Sequence, residues 1–186
     1  TVIVEATPVA DAGPDQELTC NLSMVSLGGS ATSTEAGITY QWTAADTSIT
    51  IVNPDQPLID ASQAGVYTLT VTNDIGCSAS DEVTVTSDFS VPVAALSFSG
   101  VSCFQSNDGF IRIDSVSGGT PPYQYSLNDG PFGAQTFYSS LSPDLYTLVI
   151  RDANGCISQL DIDLSDEPEE LIVTLTTNLE GDPPVI

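Results

Sequence analysis

The chain has 186 residues, enough for one large or two small domains. Its 25 acidic residues against 2 basic ones give a formal net charge of −23. That charge excludes nucleic acids and anionic membranes as partners, because both require Lys and Arg to neutralise phosphate. Without histidine or lysine, the chain cannot form a Ser-His-Asp triad, a His-ligated metal site or a Schiff base. It is nevertheless 41% hydrophobic, so we expect it to fold.

An internal repeat organises the chain. Residues 67–77 read YTLTVTNDIGC and residues 146–156 read YTLVIRDANGC. In both copies apolar and polar positions alternate, which is typical of a half-buried strand. A turn containing Gly and a following Cys then lead the chain back into the next strand. The recurrence predicts an array of two small β-modules.

In chain order, residues 1–6 are predicted to be the end of a preceding module, and module one occupies residues 7–87. Seven short strands separated by turns are typical of an immunoglobulin-like β-sandwich. In that pattern Trp42 is the core aromatic residue of the third strand and Tyr67 is the corner tyrosine. The strands predicted in module one are Gln16–Thr19, Met24–Leu27, Thr39–Thr43, Ser48–Val52, Leu58–Ala61, Val66–Asn73 and Ser80–Thr86.

A short linker at residues 88–94 contains Pro92, which limits bending. Module two follows at residues 95–166, and residues 167–186 are predicted to be a linker and the first strand of a further module. In module two we predict strands at Gly109–Val116, Leu145–Arg151 and Cys156–Leu164, a segment 123–126 that matches Tyr40-Gln41-Trp42-Thr43, and a hairpin turn at Asn128-Asp129-Gly130. The predicted fold class is all-β, with tandem immunoglobulin-like β-sandwich modules stapled by disulfides.

Four cysteines are available as staples, two in each module. Cys20 and Cys77 lie 57 residues apart, and Cys103 and Cys156 lie 53 apart. The similar spacings favour one bridge inside each module, Cys20–Cys77 and Cys103–Cys156, each contributing about 4 kcal/mol in the chain-entropy model. Disulfides in turn predict an oxidising, extracellular location.

Module two resembles the SprB-type repeat of giant surface adhesins of gliding Bacteroidetes. The residues that match are Ser102-Cys103-Phe104, Asn107-Asp108-Gly109-Phe110-Ile111, Ser117-Gly118-Gly119-Thr120-Pro121-Pro122-Tyr123-Gln124-Tyr125-Ser126, Leu145-Tyr146-Thr147 and Asp152-Ala153-Asn154-Gly155-Cys156. Family members usually carry Trp after the tyrosines, where this chain has Leu127.

Module one is similar to the PKD-like or immunoglobulin-like repeats of the same class of surface protein. The similarity lies in Ala12-Gly13-Pro14-Asp15-Gln16, Leu27-Gly28-Gly29-Ser30, Tyr40-Gln41-Trp42 and Ala64-Gly65-Val66-Tyr67-Thr68-Leu69. Together the two resemblances imply export by the type IX secretion pathway, display on the outer cell surface, a link with gliding motility, and no catalytic residues. The partners they imply are neighbouring modules of the same polypeptide, glycans or surfaces.

Calcium is the one cofactor for which the sequence offers candidate ligands. Carboxylates crowd the end of module two, and hard oxygen ligands suit Ca²⁺. No EF-hand motif is present, so a solvated acidic linker is the competing interpretation. The candidate ligands are Asp161, Asp163, Asp166, Glu167, Glu169 and Glu170.

A ligand-binding patch is predicted at Phe132, Phe137 and Tyr138, because aromatic rings stack on sugars. The other tyrosines and Trp42 occupy core positions in the strand pattern.

The leading hypothesis is a non-catalytic repeat segment of a long secreted adhesin or stalk, acting by reach and avidity. One alternative is a structural subunit of a self-assembling extracellular filament, with strands paired between chains. A second is a carbohydrate-binding accessory region of a secreted enzyme.

Overall fold

The computed structural model describes residues 7–103 and 106–165, and it confirms an all-β fold. Twelve strands are present in that part of the chain, β1–β6 in module one and β7–β12 in module two. Their bounds are β1 Gln16–Thr19, β2 Val25–Leu27, β3 Thr39–Ala44, β4 Ile59–Ala61, β5 Gly65–Thr72, β6 Ser78–Asp88, β7 Val93–Ser99, β8 Gly109–Ser117, β9 Gln124–Leu127, β10 Phe137–Leu141, β11 Leu145–Arg151 and β12 Ile157–Asp163.

Module one is a sandwich of a four-stranded sheet, ordered β1-β6-β5-β3, and a two-stranded sheet, β2-β4. β5 pairs antiparallel with both β3 and β6, whereas β1 runs parallel to the last residues of β6. Inward positions of both sheets form one hydrophobic core that includes Trp42, Leu69 and Val71. The alternation of apolar and polar residues in the sequence of β5 therefore corresponds to the alternation of its buried and half-buried side chains.

The corner tyrosine occurs in both modules. The hydroxyl of Tyr67 donates to the carbonyl of Gln63 at 2.8 Å, and the hydroxyl of Tyr146 donates to the carbonyl of Ser142 at 3.0 Å. Each donor and acceptor lie four residues apart, and each tyrosine ring is buried. The prediction for Tyr67 is confirmed, and the repeat places Tyr146 in the same role.

The predicted strand Ser48–Val52 is wrong. This segment belongs to an irregular connection between β3 and β4, where the amide of Ile49 donates back to the carbonyl of Asp46 at 3.1 Å. Ile49 and Ile51 still pack against the core, which explains the alternating pattern. No neighbouring strand pairs with this segment, so its apolar side chains face the core although its backbone forms no ladder of hydrogen bonds with another strand. The described residues of module one therefore contain six strands.

Module two is a sandwich of two three-stranded sheets, ordered β10-β8-β7 and β12-β11-β9. Its hydrophobic core is separate from that of module one and includes Ile111, Leu148 and Ile150. The predicted turn at Asn128-Asp129-Gly130 is confirmed, since Asn128 and Asp129 both have positive φ and the amide of Gly130 donates to the carbonyl of Leu127. Positive φ at both central residues is the geometry of a type I′ turn.

A large effect is expected for substitution of Gly28, where a positive φ coincides with close contact to the main chain. Its φ is +122°, and an added Cβ would lie 2.5 Å from the carbonyl oxygen of Pro57. Gly28→Ala is therefore expected to destabilise the protein by about 3 kcal/mol or more, from backbone strain plus a clash with a main-chain atom. Gly76→Ala is the matched control, because Gly76 also has positive φ but open space around it, so strain alone costs about 1–2 kcal/mol. Urea unfolding of the two variants measures the difference, and equal losses would contradict the role of the close contact.

Within the described residues, no helix has the length and apolar character needed to cross a membrane.

Candidate functional site at the joint between the modules

A disulfide links the two modules. Cys20, directly after β1, is bonded to Cys156, directly before β12, with a Cα–Cα distance of 5.0 Å. Cys77 and Cys103 form no disulfide. The predicted bridges Cys20–Cys77 and Cys103–Cys156 are therefore wrong. The disulfide Cys20–Cys156 is a second covalent connection between the modules, besides the linker.

The positions of the strands explain this pairing. β1 lies beside the end of β6, with Thr19 opposite Asp88, so Cys20 is at the pole where the chain leaves module one. Cys77 precedes the first residue of β6 at the other pole. An 11-residue strand is roughly 35 Å long, far beyond the roughly 4–7 Å between the Cα atoms of bonded cysteines.

The same argument separates the two cysteines of module two. β7 leads away from the joint for 7 residues, roughly 23 Å, and Cys103 lies beyond its end. Cys156 lies in the turn between β11 and β12, which faces module one. We call the pole where the chain enters a module its upstream pole, and the pole where it leaves the downstream pole. Cys20 and Cys103 are thus downstream, and Cys77 and Cys156 are upstream.

Asp88, the last residue of β6, is the centre of a hydrogen-bond network across the joint. Its carboxylate accepts the hydroxyl of Thr120 at 2.7 Å and the side-chain amide of Asn154 at 2.8 Å, both from module two. It also accepts the backbone amide of Ser90, in the linker, at 3.1 Å. A further bond across the joint joins the amide of Asn21 to the carbonyl of Asn154 at 3.0 Å.

These donors hold the pKa of Asp88 below its ordinary value, with the Thr120 hydroxyl as the largest cause. A carboxyl group whose pKa is depressed by folding stabilises the folded state above its unfolded pKa. That contribution is lost as the pH falls through the lower folded value. The network is therefore complete at neutral pH.

Asp152 holds together the upstream face of module two. Asp152 is buried, and its carboxylate accepts the amide of Cys156 at 2.8 Å and that of Thr120 at 2.8 Å. The linker is short, because only residues 89–92 lie between the last residue of β6 and the first of β7. Its Pro92 is fully buried. A short linker with a buried proline, next to a disulfide, leaves little freedom for one module to rotate against the other.

The predicted calcium ligands lie only partly within the described residues. Asp161 and Asp163 are on the exposed face of β12, whereas Asp166, Glu167, Glu169 and Glu170 lie outside the described part of the chain. Asp161 accepts the hydroxyl of Thr147 at 2.9 Å, and Asp163 accepts the amide of Ser165 at 2.8 Å. In residues 7–103 and 106–165, no three metal-ligating side chains cluster. Calcium binding by this set stays a prediction, which calorimetry at millimolar calcium tests.

The predicted aromatic patch does not form as one surface. Phe132 and Tyr138 line the same open groove, of about 420 Å³, between β9 and β10. Phe137 lies beside Phe110 on the opposite face of its sheet, with ring centroids 6.0 Å apart. The guanidinium of Arg151 lies 4.0 Å from the ring centroid of Phe132 and covers one of its faces. Arg151 therefore occupies the face of the Phe132 ring on which a sugar would stack.

Comparison with known proteins agrees with this architecture. Residues 95–132 match the family model of the SprB repeat. The resemblance of module two to SprB repeats is thereby confirmed over these residues, which include most of β7 and all of β8 and β9. The chain matches no curated protein.

Two solved structures illustrate the fold. The PKD domain from KIAA 1837 protein is 25% identical, with 46% of this chain and 93% of that one covered and a TM-score of 0.37. The N-terminal eight immunoglobulin domains of Down Syndrome Cell Adhesion Molecule are 12% identical, with 85% of this chain and 27% of that one covered and a TM-score of 0.54. The second match spans both modules, and it shows that the fold is a tandem immunoglobulin-like sandwich.

Sequence reasoning missed the joint, although the repeat contained a signal for it. Cys77 and Cys156 end the two copies of the repeated string, so both lie in the turn before the last strand of their module. Two cysteines that occupy equivalent positions in consecutive modules lie at equivalent poles. Cys156 therefore faces the preceding module, where Cys20 is within reach.

Proposed function

We propose that this chain is a non-catalytic spacer, a repeat segment in the stalk of a long secreted cell-surface adhesin. The observation that supports the proposal is the joint. A disulfide and the hydrogen bonds of Asp88 fix the second sandwich at the downstream pole of the first. A stalk requires such fixed joints, because each flexible joint shortens the mean reach of the chain.

Charge supports the same function. The net charge of −23 makes the modules repel one another and discourages a folded-back arrangement, although salt screens this beyond about 10 Å. Both arginines are engaged within module two, Arg112 with Asp114 and Arg151 with Gln124. The negative charge thus favours an extended arrangement of the modules. It also disfavours adhesion to anionic surfaces.

The SprB match supports a finer proposal about location. SprB repeats belong to surface adhesins of gliding bacteria, so we infer export by the type IX pathway and display on the outer surface. Antibody labelling of intact cells tests this location. Labelling only after the cells are lysed would contradict it.

Small-angle scattering tests the spacer. In solution, residues 7–165 of the oxidised chain are expected to form a rod roughly 75 Å long, extended by the remaining residues, because each sandwich with its loops is roughly 35–40 Å long. A compact particle near about 50 Å would overturn the proposal.

The variant Cys20→Ala/Cys156→Ala shows how much of this rigidity depends on the covalent bond. It is expected to give a broader distribution of distances, since only the linker and the hydrogen bonds then hold the joint. The matched control Cys77→Ala/Cys103→Ala removes the same number of sulfur atoms away from the joint, and its scattering should equal that of the unaltered chain.

A further inference from the structure

A pocket of about 300 Å³ opens at the joint between the modules. Module one contributes Asn21, the residue after the bonded Cys20, and module two contributes residues at the start of β9 and at the end of β11. This volume is at the lower end of the range for small-molecule sites, and such sites occur preferentially where domains meet. We call it the joint pocket, and its lining residues are Asn21, Pro122, Gln124, Arg151, Asp152 and Ala153.

The guanidinium of Arg151 has a fixed orientation in this pocket. Arg151 lies opposite Gln124 in the register of β11 and β9, and one of its terminal nitrogens donates to Gln124 Oε1 at 2.7 Å. One face of the guanidinium lies 4.0 Å from the ring centroid of Phe132. The other N–H groups of Arg151 make no hydrogen bond within the described residues. Because a guanidinium has five N–H donors, Arg151 keeps donors for a ligand.

Arg151 also differs from the other arginine in its partners. Arg112 forms an ion pair with Asp114, with 2.7 Å between nitrogen and oxygen, and this is the one ion pair of residues 7–103 and 106–165. Arg151 instead bonds a neutral amide and an aromatic ring, although the chain has 25 acidic residues. A carboxylate would accept two of its donors at once. The surroundings of Arg151 therefore orient the guanidinium without saturating it.

Asn21 brings a second set of polar groups from module one. Its backbone amide donates to the carbonyl of Asn154 at 3.0 Å, which holds the residue against module two. Its side chain lies over Gly155, where a Cβ would be 2.0 Å from Asn21 Oδ1, so glycine is required for this approach. Within the described residues, the backbone makes the hydrogen bond of Asn21 and the side chain makes none. Both the donor and the acceptor of that side chain therefore remain for a ligand.

The charge of the pocket selects a neutral ligand. Arg151 and Asp152 are its two ionisable lining residues, and their charges are opposite. The carboxylate of Asp152 is already engaged by two backbone amides of module two, and the net charge of −23 disfavours an anionic ligand. A ligand rich in hydroxyls fits the remaining groups, because each hydroxyl both donates and accepts. Pro122 and Ala153 supply an apolar wall for the C–H face of a sugar ring.

We propose that the joint pocket binds one sugar unit of a neutral polysaccharide. The hydroxyls of the sugar accept from the guanidinium of Arg151 and exchange hydrogen bonds with the side chain of Asn21, so the ligand contacts both modules. A single open site of this size binds weakly, with a Kd of about 1 mM, and firm attachment requires several such sites to act together. The pocket lies at the joint and away from the outer poles of the two modules, so it stays accessible in a longer stalk. This binding function goes beyond the spacer and does not depend on it.

The test is an NMR titration of the full, oxidised, ¹⁵N-labelled chain with the methyl glycosides of glucose, galactose, mannose, xylose and N-acetylglucosamine, and with methyl galacturonoside as the charged counterpart. Each is added to about 50 mM, well above the expected Kd. The chain has two arginines and therefore two Nε–H signals, of which that of Arg112 is an internal control. With at least one neutral glycoside, the signals of Arg151 and of the Asn21 side chain are expected to shift and saturate while that of Arg112 stays in place. No shift with any neutral glycoside, equal shifts at Arg112, or shifts with the galacturonoside alone would overturn the proposal.

Two variants test the contribution of each module to binding. Arg151→Gln is expected to weaken binding of the glycoside at least about tenfold, and Asn21→Ala about three- to tenfold, because each removes hydrogen bonds to the ligand. Arg112→Gln is the matched control, which removes the other arginine and should leave the Kd unchanged. Asn21→Ala also guards against misfolding, since its side chain makes no hydrogen bond within the described residues, and the melting temperature checks each variant. Unchanged affinity in Asn21→Ala would overturn a site shared by the two modules. None of these failures touches the spacer function, which scattering measures separately.

Discussion

Pulled by its two ends, the reduced chain is expected to lengthen by roughly 450 Å more than the oxidised chain, at about 3.4 Å per residue. The reason is the path of covalent bonds through the molecule. The disulfide joins residues 136 apart in sequence, so tension passes from residue 20 directly to residue 156. The residues between them lie in a closed loop that bears no tension. They include five of the six strands of module one and five of the six strands of module two.

Force spectroscopy on single molecules measures this difference as the gain in contour length on unfolding. The variant Cys20→Ala/Cys156→Ala should behave as the reduced chain does, with or without reductant. The control Cys77→Ala/Cys103→Ala should keep the short gain until reductant is added. Equal gains for oxidised and reduced chains would show that tension does not bypass the modules, and the joint would then act only as an orienting device.

Among the strands that the sequence predicted correctly, β5 and β11 have the clearest period of two. In β5 and β11 the buried residues alternate without interruption, because each strand lies inside its sheet with one face on the core. The segment 48–52 shows the same alternation but has no partner strand. Periodicity reports which side chains turn inward, and it does not report whether the backbone is paired.

Two strands escaped prediction because their patterns are weak. β7 is an edge strand with several half-buried positions, and β10 has exposed residues at three of its five positions. Both pair with β8, whose own alternation was clear enough to predict. Edge strands have only one paired side, and their exposed positions blur the contrast on which the prediction depends.

The disulfide could not be read from spacing, because equal spacing within two modules is compatible with two patterns of bridges. Bridges inside each module and bridges between consecutive modules both place cysteines at repeated positions. Which pattern of bridges forms depends on the pole of the module at which each cysteine lies. β1 carries Cys20 downstream beside the end of β6, and the turn before β12 holds Cys156 upstream. The repeat indicates that Cys77 and Cys156 lie at equivalent poles, and the register of the strands shows which pole that is.

A single bridge in the joint is expected to stabilise whichever module unfolds first. If module one unfolds while module two stays folded, Cys156 and the linker still hold residues 20 and 89 close together. The unfolded module is then a closed loop, which costs it about 4 kcal/mol of chain entropy relative to an open chain. The same holds for module two, because folded module one keeps Cys20 near the start of β7.

Removal of this bridge is therefore expected to lower the melting temperature of the module that unfolds first by about 15 °C or more, since about 1 kcal/mol shifts a domain of this size by 4–8 °C. Unfolding of the second module only enlarges the existing loop to the 136 residues between the cysteines, which costs less than about 1 kcal/mol more, so the second transition should move little. Calorimetry of Cys20→Ala/Cys156→Ala measures the shift, with Cys77→Ala/Cys103→Ala as the control that should melt within a few degrees of the unaltered chain. Two transitions that both stay in place would contradict the argument, because the module that unfolds first should do so as a closed loop. The joint would then hold the modules in line without acting as their common staple.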